Sequence, residues 1–313
     1  MNIDKRYIDL IMNVSSRAAL ASYHLVGKKD KIAADKAAVD SMRNELNKIE
    51  MEGQIVIGEG ELDEAPMLYI GEKLGLMNGP KLDIAVDPLE GTNFAANNLP
   101  GALSVIAVAN KDNLFNAPET YMNKISANIS EPAVIDLDYS VKKNIYNLAD
   151  YKNTKPGNLT ACLLDRPRHK KMITELKKLG VKLKLISDGD VSGALLVTEE
   201  KYSVDIFLGI GGGPEGVLAA SALDTYNCFF QGRFLFETDK DKLRAQKMGI
   251  NDFQKKYELN EIVSGDSIFC ATGITSGELM SGIQIDNDEF ISETLITHKS
   301  SGLKEVIKSK KRI

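Results

Sequence analysis

The chain of 313 residues has few of the residue types that mark zinc-binding, disulfide-rich and membrane proteins. It has no tryptophan and only three histidines, which argues against a histidine-rich zinc site. Cys162, Cys228 and Cys270 are far apart, lack C-x-x-C spacing and have mostly apolar neighbours, which indicates buried, reduced thiols. No apolar run approaches the roughly 18 residues of a membrane span, and the N-terminal residues form no signal-peptide core. We therefore expect a cytoplasmic protein.

The excess of positive charge that marks nucleic-acid-binding proteins is also missing. Lysine and arginine number 39 against 44 aspartates and glutamates, and the net charge is -5. Such a chain has no overall field that would attract nucleic acid or anionic lipid. The basic segment at 308–312 is short, and we expect a solvated end there rather than a binding patch. We expect neither nucleic acid nor a membrane as a partner.

The spacing of apolar residues predicts a layered α/β protein. Helical spacing occurs at 4–26, about 31–49 and 66–74, and short strands are predicted at 54–57, 82–86 and 102–109. Strands and helices then alternate at 160–164, 170–179, 181–186, 191–198, 204–208, 215–226, 229–236 and 267–271. The polar, turn-rich segment 152–158 suggests a boundary. It would separate an N-terminal subdomain (1–155) from a C-terminal subdomain (156–313).

Acidic segments follow two of the predicted strands. The segment 87–92, Asp-Pro-Leu-Glu-Gly-Thr, comes directly after the strand at 82–86. We expect Pro88 to end that strand and Gly91 to relieve backbone crowding. The preceding strand is followed by Glu59, Glu61, Asp63 and Glu64. Such carboxylates repel one another unless a cation holds them, and they suit Mg²⁺ or Mn²⁺. Taken alone, these residues leave open the alternative of solvated acidic turns.

The second half of the chain carries candidate phosphate-binding features. The glycine-rich segment 209–216 opens a predicted helix, where free backbone N–H groups can bind phosphate. Arg166 and Arg168, held apart by Pro167, could each grip a phosphate with two parallel bonds, although a surface cluster at a helix start is the alternative. The glycines also match a dinucleotide-binding fingerprint, but Glu215 would put a negative charge where the pyrophosphate sits.

Together these motifs resemble the signature of class II fructose-1,6-bisphosphatases. The resemblance is carried by residues 55–73, 83–92, 188–190, 211–216 and 271–275 and extends from about residue 4 to 297. It implies the layered αβαβα fold of lithium-sensitive sugar phosphatases. It also implies hydrolysis of fructose 1,6-bisphosphate to fructose 6-phosphate and phosphate, in gluconeogenesis and glycerol metabolism, with Mn²⁺ or Mg²⁺ as cofactor. The segment 93–100 departs from the family pattern, which leaves the metal preference open.

The resemblance further implies roles for individual residues. The implied metal ligands are Asp35, Glu59, Asp87, Glu90 and Glu215. Thr92 is implied to orient the attacking water, with Asp63 as its partner and Asp35 as the alternative proton acceptor. The implied substrate-binding residues are Lys31, Glu90, Gly91, Thr92, Tyr121, Arg166, Pro167, Arg168, Asp188, Gly189, Asp190 and Gly212.

Three alternatives remain open at this point. The same chemistry could act on sedoheptulose bisphosphate or on an inositol phosphate, and the fold could serve as a non-catalytic sugar-phosphate sensor. The arginine pair favours a substrate with two phosphates, and a sensor would have no need for the metal-binding carboxylates. We expect a homo-oligomer, either a dimer or a tetramer.

Overall fold

The computed structural model describes residues 2–58 and 68–313, and the chain divides into two compact units. Unit 1 comprises Met1–Asn116 and Val263–Ile313, and unit 2 comprises Ala117–Ile262. The boundary expected near 155 falls inside unit 2, because the segment 152–158 joins a helix and a strand that share one core. Glu59 and Asp63 lie outside the described residues.

Helices and strands succeed one another along the whole described chain. The helices are α1 (Arg6–Tyr23), α2 (Lys31–Leu46), α3 (Thr92–Ala96), α4 (Val141–Tyr151), α5 (Lys170–Lys178), α6 (Asp190–Leu195), α7 (Gly213–Tyr226), α8 (Asp239–Lys247) and α9 (Leu259–Ile262). The strands are β1 (Glu52–Ile57), β2 (Lys73–Leu74), β3 (Lys81–Glu90), β4 (Leu103–Asn110), β5 (Tyr121–Ala127), β6 (Thr160–Leu164), β7 (Lys182–Ile186), β8 (Ile206–Gly212), β9 (Phe229–Leu235), β10 (Tyr257–Glu258), β11 (Ser267–Gly273), β12 (Gln284–Asp286), β13 (Glu289–His298) and β14 (Leu303–Arg312). The predicted α/β class is confirmed.

Unit 1 is a mixed sheet with two long helices packed on it. Its strand order is β12-β13-β11-β4-β3-β1-β2, with β14 added alongside β13. Helix α1 forms because apolar side chains recur at helical spacing, and it buries Ile11 and Ala18 in the same core as Met42 of α2 and Ile106 of β4. Asp30 caps α2 by accepting a hydrogen bond from the Ala33 N–H at 2.9 Å. This cap sets where α2, and with it Lys31 and Asp35, begins.

Unit 2 is a six-stranded sheet with helices on both faces. Its strand order is β10-β9-β5-β8-β6-β7. Helices α4 and α5 pack on the face that carries Ile125 and Leu163. On the opposite face, α6 lies against Phe207, and α7 lies against Met122 and Lys124. Unit 1 therefore has a helix layer on one sheet, and unit 2 is a helix–sheet–helix sandwich, each of which is a layered α/β arrangement.

Three local expectations are wrong. Residues 68–74 are not helical, because β2 pairs with the open edge of β1 and satisfies its backbone groups. Pro88 does not end the strand, since β3 continues to Glu90. The basic segment near the C-terminus is not an unpaired end but part of β14, which pairs with β13 along all ten residues, while its side chains at 308, 310 and 312 are exposed as expected. Lys311 Nζ there donates to Asn13 and Ser16 of α1 at 3.1 and 2.7 Å.

Two other expectations concern the thiols and the membrane. The three cysteines are all free and buried, as predicted. Over residues 2–58 and 68–313, the structure contains no helix with the length and apolar character that crossing a bilayer requires.

Candidate active site

Strand β3 presents two predicted metal ligands through a local irregularity. Asp87 lies opposite Val105 of β4, whereas Glu90 lies opposite Leu103, so β3 contains one residue more than its partner over this interval. In a regular strand, residues three apart face opposite sides of the sheet. The extra residue restores the alternation, and both carboxylates face the side that Val105 and Leu103 share. Pro88, which has no N–H to donate, sits within this bulge.

The turn after β3 leads directly into α3. Gly91 has a φ of +78°, a left-handed conformation in which any other residue is strained, and Thr92 is the first residue of α3. A Cβ at Gly91 would lie 2.8 Å from the Phe94 ring, so space also requires glycine. Gly91 therefore sets the turn that places Thr92 directly after the end of β3.

Helix α2 brings two further predicted site residues of unit 1 beside this turn. The segment before α2 is tied to α3, because the N–H groups of Gly27 and Lys29 both donate at 2.9 Å, to the carbonyls of Ala95 and Ala96. Helix α2 packs against α3 and β3 and carries the exposed Lys31 and, one turn later, the half-buried Asp35.

A metal centre cannot be traced from these side chains alone. Over 2–58 and 68–313, histidine, cysteine, aspartate and glutamate side chains form no group of three that could hold a metal ion. The predicted ligand Glu59 and the predicted catalytic acid Asp63 belong to the segment outside the described residues. Asp87 and Glu90 therefore remain predicted ligands.

In unit 2, the glycine run of β8 makes room for two carboxylates. Side chains at Gly211 and Gly212 would collide with the carboxylates of Asp190 and Glu215, respectively. Glu215 lies in the first turn of α7, and its Oε2 is buried with no hydrogen-bond partner in the described chain. Burial raises the pKa of Glu215, and the nearby Lys124 ammonium opposes that rise. This carboxylate therefore favours a cation.

Asp190 occupies a similar buried position at the start of α6. Its Oδ2 is paired with Lys124 Nζ, which also donates to the Gly212 carbonyl at 2.6 Å. Its Oδ1 is buried and accepts no hydrogen bond within the described residues. An acceptor in this state suits a hydroxyl group of a ligand. Gly189, with a φ of +84°, turns the chain from β7 into α6 and so sets the direction of Asp190.

The predicted arginines lie at the same edge of the unit 2 sheet. The Arg168 guanidinium lies 4.7 Å from the centre of the Tyr121 ring, and its Nε donates to the Ile210 carbonyl at 3.0 Å. Arg166 lies 3.7 Å from the Asp188 carboxylate, with Pro167 between the two arginines. Each guanidinium is thus held along one edge, which leaves its other N–H groups for an anion.

A cleft of about 390 Å³ runs past several of these residues. It is lined by Glu119, Thr120, Tyr121, Gly212, Pro214, Glu215, Glu237 and Asp241. Tyr121, Gly212 and Glu215 were predicted from the sequence and share this cleft. Its volume is sufficient for a small polar ligand.

Two residues of this region were not predicted. Lys124 lies on β5, a strand that the sequence did not predict, and it shares one buried face of that strand with Met122 and Ser126. The available signal was a lysine at the same two-residue spacing as these inward-facing residues. His169 follows the arginine pair, and its buried ring accepts a hydrogen bond from the Ile210 N–H at 2.8 Å and donates to the Leu164 carbonyl.

Comparison with known proteins decides the family. The sequence model of a family described as bacterial fructose-1,6-bisphosphatase, glpX-encoded, matches residues 6–311. The chain belongs to this family. A "D-fructose 1,6-bisphosphatase class 2/sedoheptulose 1,7-bisphosphatase" of Prochlorococcus marinus strain MIT 9301 is 41% identical over 308 residues, covering 94% of this chain and 92% of that protein. The protein of the same description from strain NATL1A is 40% identical over 300 residues, covering 91% and 90%.

Solved structures give a much weaker similarity. A Thermotoga maritima IMPase has a TM-score of 0.34 at 12% identity, covering 64% of this chain and 79% of that one. An inositol monophosphatase from Anabaena has a TM-score of 0.33 at 11% identity, covering 62% and 71%.

Proposed function

We propose that this class II bisphosphatase family member hydrolyses fructose 1,6-bisphosphate to fructose 6-phosphate and phosphate with the help of Mg²⁺ or Mn²⁺. The observation that carries the proposal lies within unit 2. Two arginines, each held by its neighbours, stand at one sheet edge with the buried Asp190 and Glu215, each of which has one carboxylate oxygen without a hydrogen-bond partner among the described residues. Arginines suit a phosphate, Asp190 suits a sugar hydroxyl and Glu215 suits a cation.

We assign the phosphate that is not cleaved to Arg166 and Arg168. Their guanidinium groups provide paired donors for phosphate oxygens, and Tyr121 keeps Arg168 in place. Asp188 and Asp190 accept hydrogen bonds from sugar hydroxyls, and the backbone at Gly189 and Gly212 contacts the sugar. Lys31, Glu90, Gly91 and Thr92 are assigned to substrate contacts by the family pattern.

The residues present fit divalent metal ions. We assign Asp35, Glu59, Asp87, Glu90 and Glu215 as metal ligands, because oxygen donors of this kind suit hard cations and the buried Glu215 Oε2 has no hydrogen-bond partner among the described residues. When bound, such ions supply positive charge to phosphoryl oxygens and acidify water. Thr92 would orient the attacking water through its hydroxyl. Asp63, or Asp35 in its place, would accept the proton of that water.

Sedoheptulose 1,7-bisphosphate is the second candidate substrate, because the relatives' names include it. An inositol monophosphate has no second phosphate for the arginines and is disfavoured. We also propose a cytoplasmic location and a dimeric or tetrameric assembly.

The direct test measures phosphate release from fructose 1,6-bisphosphate, sedoheptulose 1,7-bisphosphate and inositol monophosphate with Mn²⁺, Mg²⁺ or EDTA. We expect metal-dependent release from the bisphosphates and little from the inositol ester. Glu215→Gln should lose most activity at limiting metal. The proposal fails if no metal supports release, and the metal assignment fails if Glu215→Gln keeps near-normal turnover at both limiting and saturating metal.

A further inference from the structure

Lys124 is the most deeply buried lysine or arginine of the described chain, with 1% of its surface exposed. A buried ammonium is costly unless charges and acceptors surround it. Here Nζ is paired with Asp190 Oδ2 and donates to the Gly212 carbonyl at 2.6 Å. The side chain therefore connects β5 to the start of α6 and to the end of β8.

Both partners of Lys124 belong to the proposed substrate-binding set. Asp190 keeps one buried oxygen without a partner in the described chain. Because Lys124 holds Asp190 Oδ2, the orientation of the carboxylate is fixed, and so is the direction of Oδ1. The Gly212 carbonyl is fixed in the same way, and it immediately precedes α7, whose first turn carries Glu215.

The charge of Lys124 also acts on Glu215. A Cβ at Gly212 would collide with the Glu215 carboxylate, and Lys124 donates to the carbonyl of the same Gly212, so both charges lie beside one residue. One positive charge thus faces two buried carboxylates, Asp190 and Glu215. The surplus of negative charge is what a divalent cation at Glu215 would neutralise.

We propose that Lys124 is a positioning residue of the proposed reaction, which aligns Asp190 and the Gly212 backbone for the sugar phosphate while limiting the negative charge beside Glu215. The inference rests on the proposed function. If Lys124 has this role, its removal should weaken substrate binding and strengthen metal binding. A lysine that only stabilised the fold would not separate the two.

The test compares Lys124→Met with Lys256→Met in the full-length protein. Lys256 is a matched control, because it also lies in unit 2 and bonds two carboxylates, Asp136 and Asp138, at 2.6 and 3.0 Å. Among the described residues, neither of those carboxylates has a hydrogen bond or ion pair with a predicted site residue. Thermal unfolding first establishes the temperature at which each variant is folded.

Two further measurements follow at that temperature. For Lys124→Met, we expect kcat/KM for fructose 1,6-bisphosphate to fall on the order of 100-fold, mainly through a higher KM, as for a displaced contact. Calorimetric titration of Mn²⁺ into the metal-free protein should show binding that is a few-fold tighter, because a positive charge near Glu215 is gone. Lys256→Met should match the wild type in both measurements.

Two results would overturn the proposal. One is a folded Lys124→Met variant with wild-type kinetics. The other is a parallel loss of substrate and Mn²⁺ binding, which would mean a purely structural role. If Lys124→Met does not fold, Lys124→Gln, which keeps an N–H donor without the charge, is measured in its place. Should the wild type hydrolyse no bisphosphate, the proposed function fails, while calorimetric binding of fructose 1,6-bisphosphate still compares the variants.

Discussion

His169 shows how a single buried ring can position a binding group. Because its Nε2 accepts the Ile210 N–H, the proton must reside on Nδ1, which donates to the Leu164 carbonyl at 2.6 Å. The carbonyl of the same Ile210 accepts from Arg168 Nε. The neutral imidazole thus positions the Ile210 backbone, and that backbone in turn positions Arg168.

Replacement of His169 by Asn should weaken both stability and substrate binding. Asn can still donate to Leu164 but leaves the Ile210 N–H unpaired, at a cost of about 1–3 kcal/mol. We expect a higher KM for the bisphosphate with a smaller change in kcat, because Arg168 loses its support. His24→Asn, at an exposed position, serves as the control. An unchanged KM would contradict the role given to the ring.

The same variant should reveal a specific pH dependence. Burial, followed by the Arg168 charge, lowers the pKa of His169 below its usual 6.5, while Asp190 and the backbone hydrogen bonds oppose this shift. Below pH 6.5 the unfolded chain binds more protons at this residue than the folded chain, so the stabilisation by His169 is lost as the pH falls through its folded pKa. Denaturant unfolding of wild type and His169→Asn should therefore give a difference that shrinks from pH 8 to 5. A stability difference that stays constant over this pH range would refute the role of His169 protonation.

At the scale of elements, the junction of β8 and α7 depends on glycine for space rather than for backbone freedom. Gly212 is extended, with a φ of -65°, yet a Cβ there would collide with the Glu215 carboxylate. The Glu215 carboxylate therefore occupies the space that the side chain of any other residue at position 212 would need.

Gly212→Ala should consequently displace Glu215 and impair activity while the fold persists. We expect a loss on the order of 100-fold in kcat/KM, as for a displacement of about 1 Å near the reacting groups. Gly157→Ala is the control, because a Cβ there would meet the Gly180 carbonyl at an ordinary 3.5 Å. Steady-state kinetics with a thermal melt of each variant makes the comparison. Equal kinetics for the two variants would refute the steric argument.

The sequence predicted elements whose signal is local and missed those created by pairing. The strand Thr160–Leu164 and the long helix Arg6–Tyr23 carry their own apolar periodicity, and both were found. In contrast, Lys73–Leu74 is a strand only because it lies along β1, and Leu303–Arg312 reads as a charged tail until β13 pairs with it. The acids and arginines were recognisable from motifs. Lys124 was not, because its burial becomes apparent only once β5 is known to be a strand and its inward face is known.

At the scale of the molecule, the order of strands explains why the unit boundaries after Asn116 and Ile262 were not recognisable from the sequence. Unit 1 builds its sheet from both ends of the chain, since β11 pairs with β4 and β13. Unit 2 is continuous and contains all six strands of its own sheet. Local composition reports turns such as 152–158, but it does not report which distant strands become neighbours.

This arrangement predicts which fragments of the chain fold. Residues 117–262 contain a complete sheet and a core of their own, so this fragment should give a cooperative thermal transition by circular dichroism. The fragment 156–313 should not, because it lacks β5, the strand that joins β9 to β8 in the middle of the unit 2 sheet. It also lacks α4, whose Ile145 and Leu148 fill the core. Both fragments are compared at equal concentration, and cooperative unfolding of 156–313 without a transition in 117–262 would show that the chain divides at the polar segment after all.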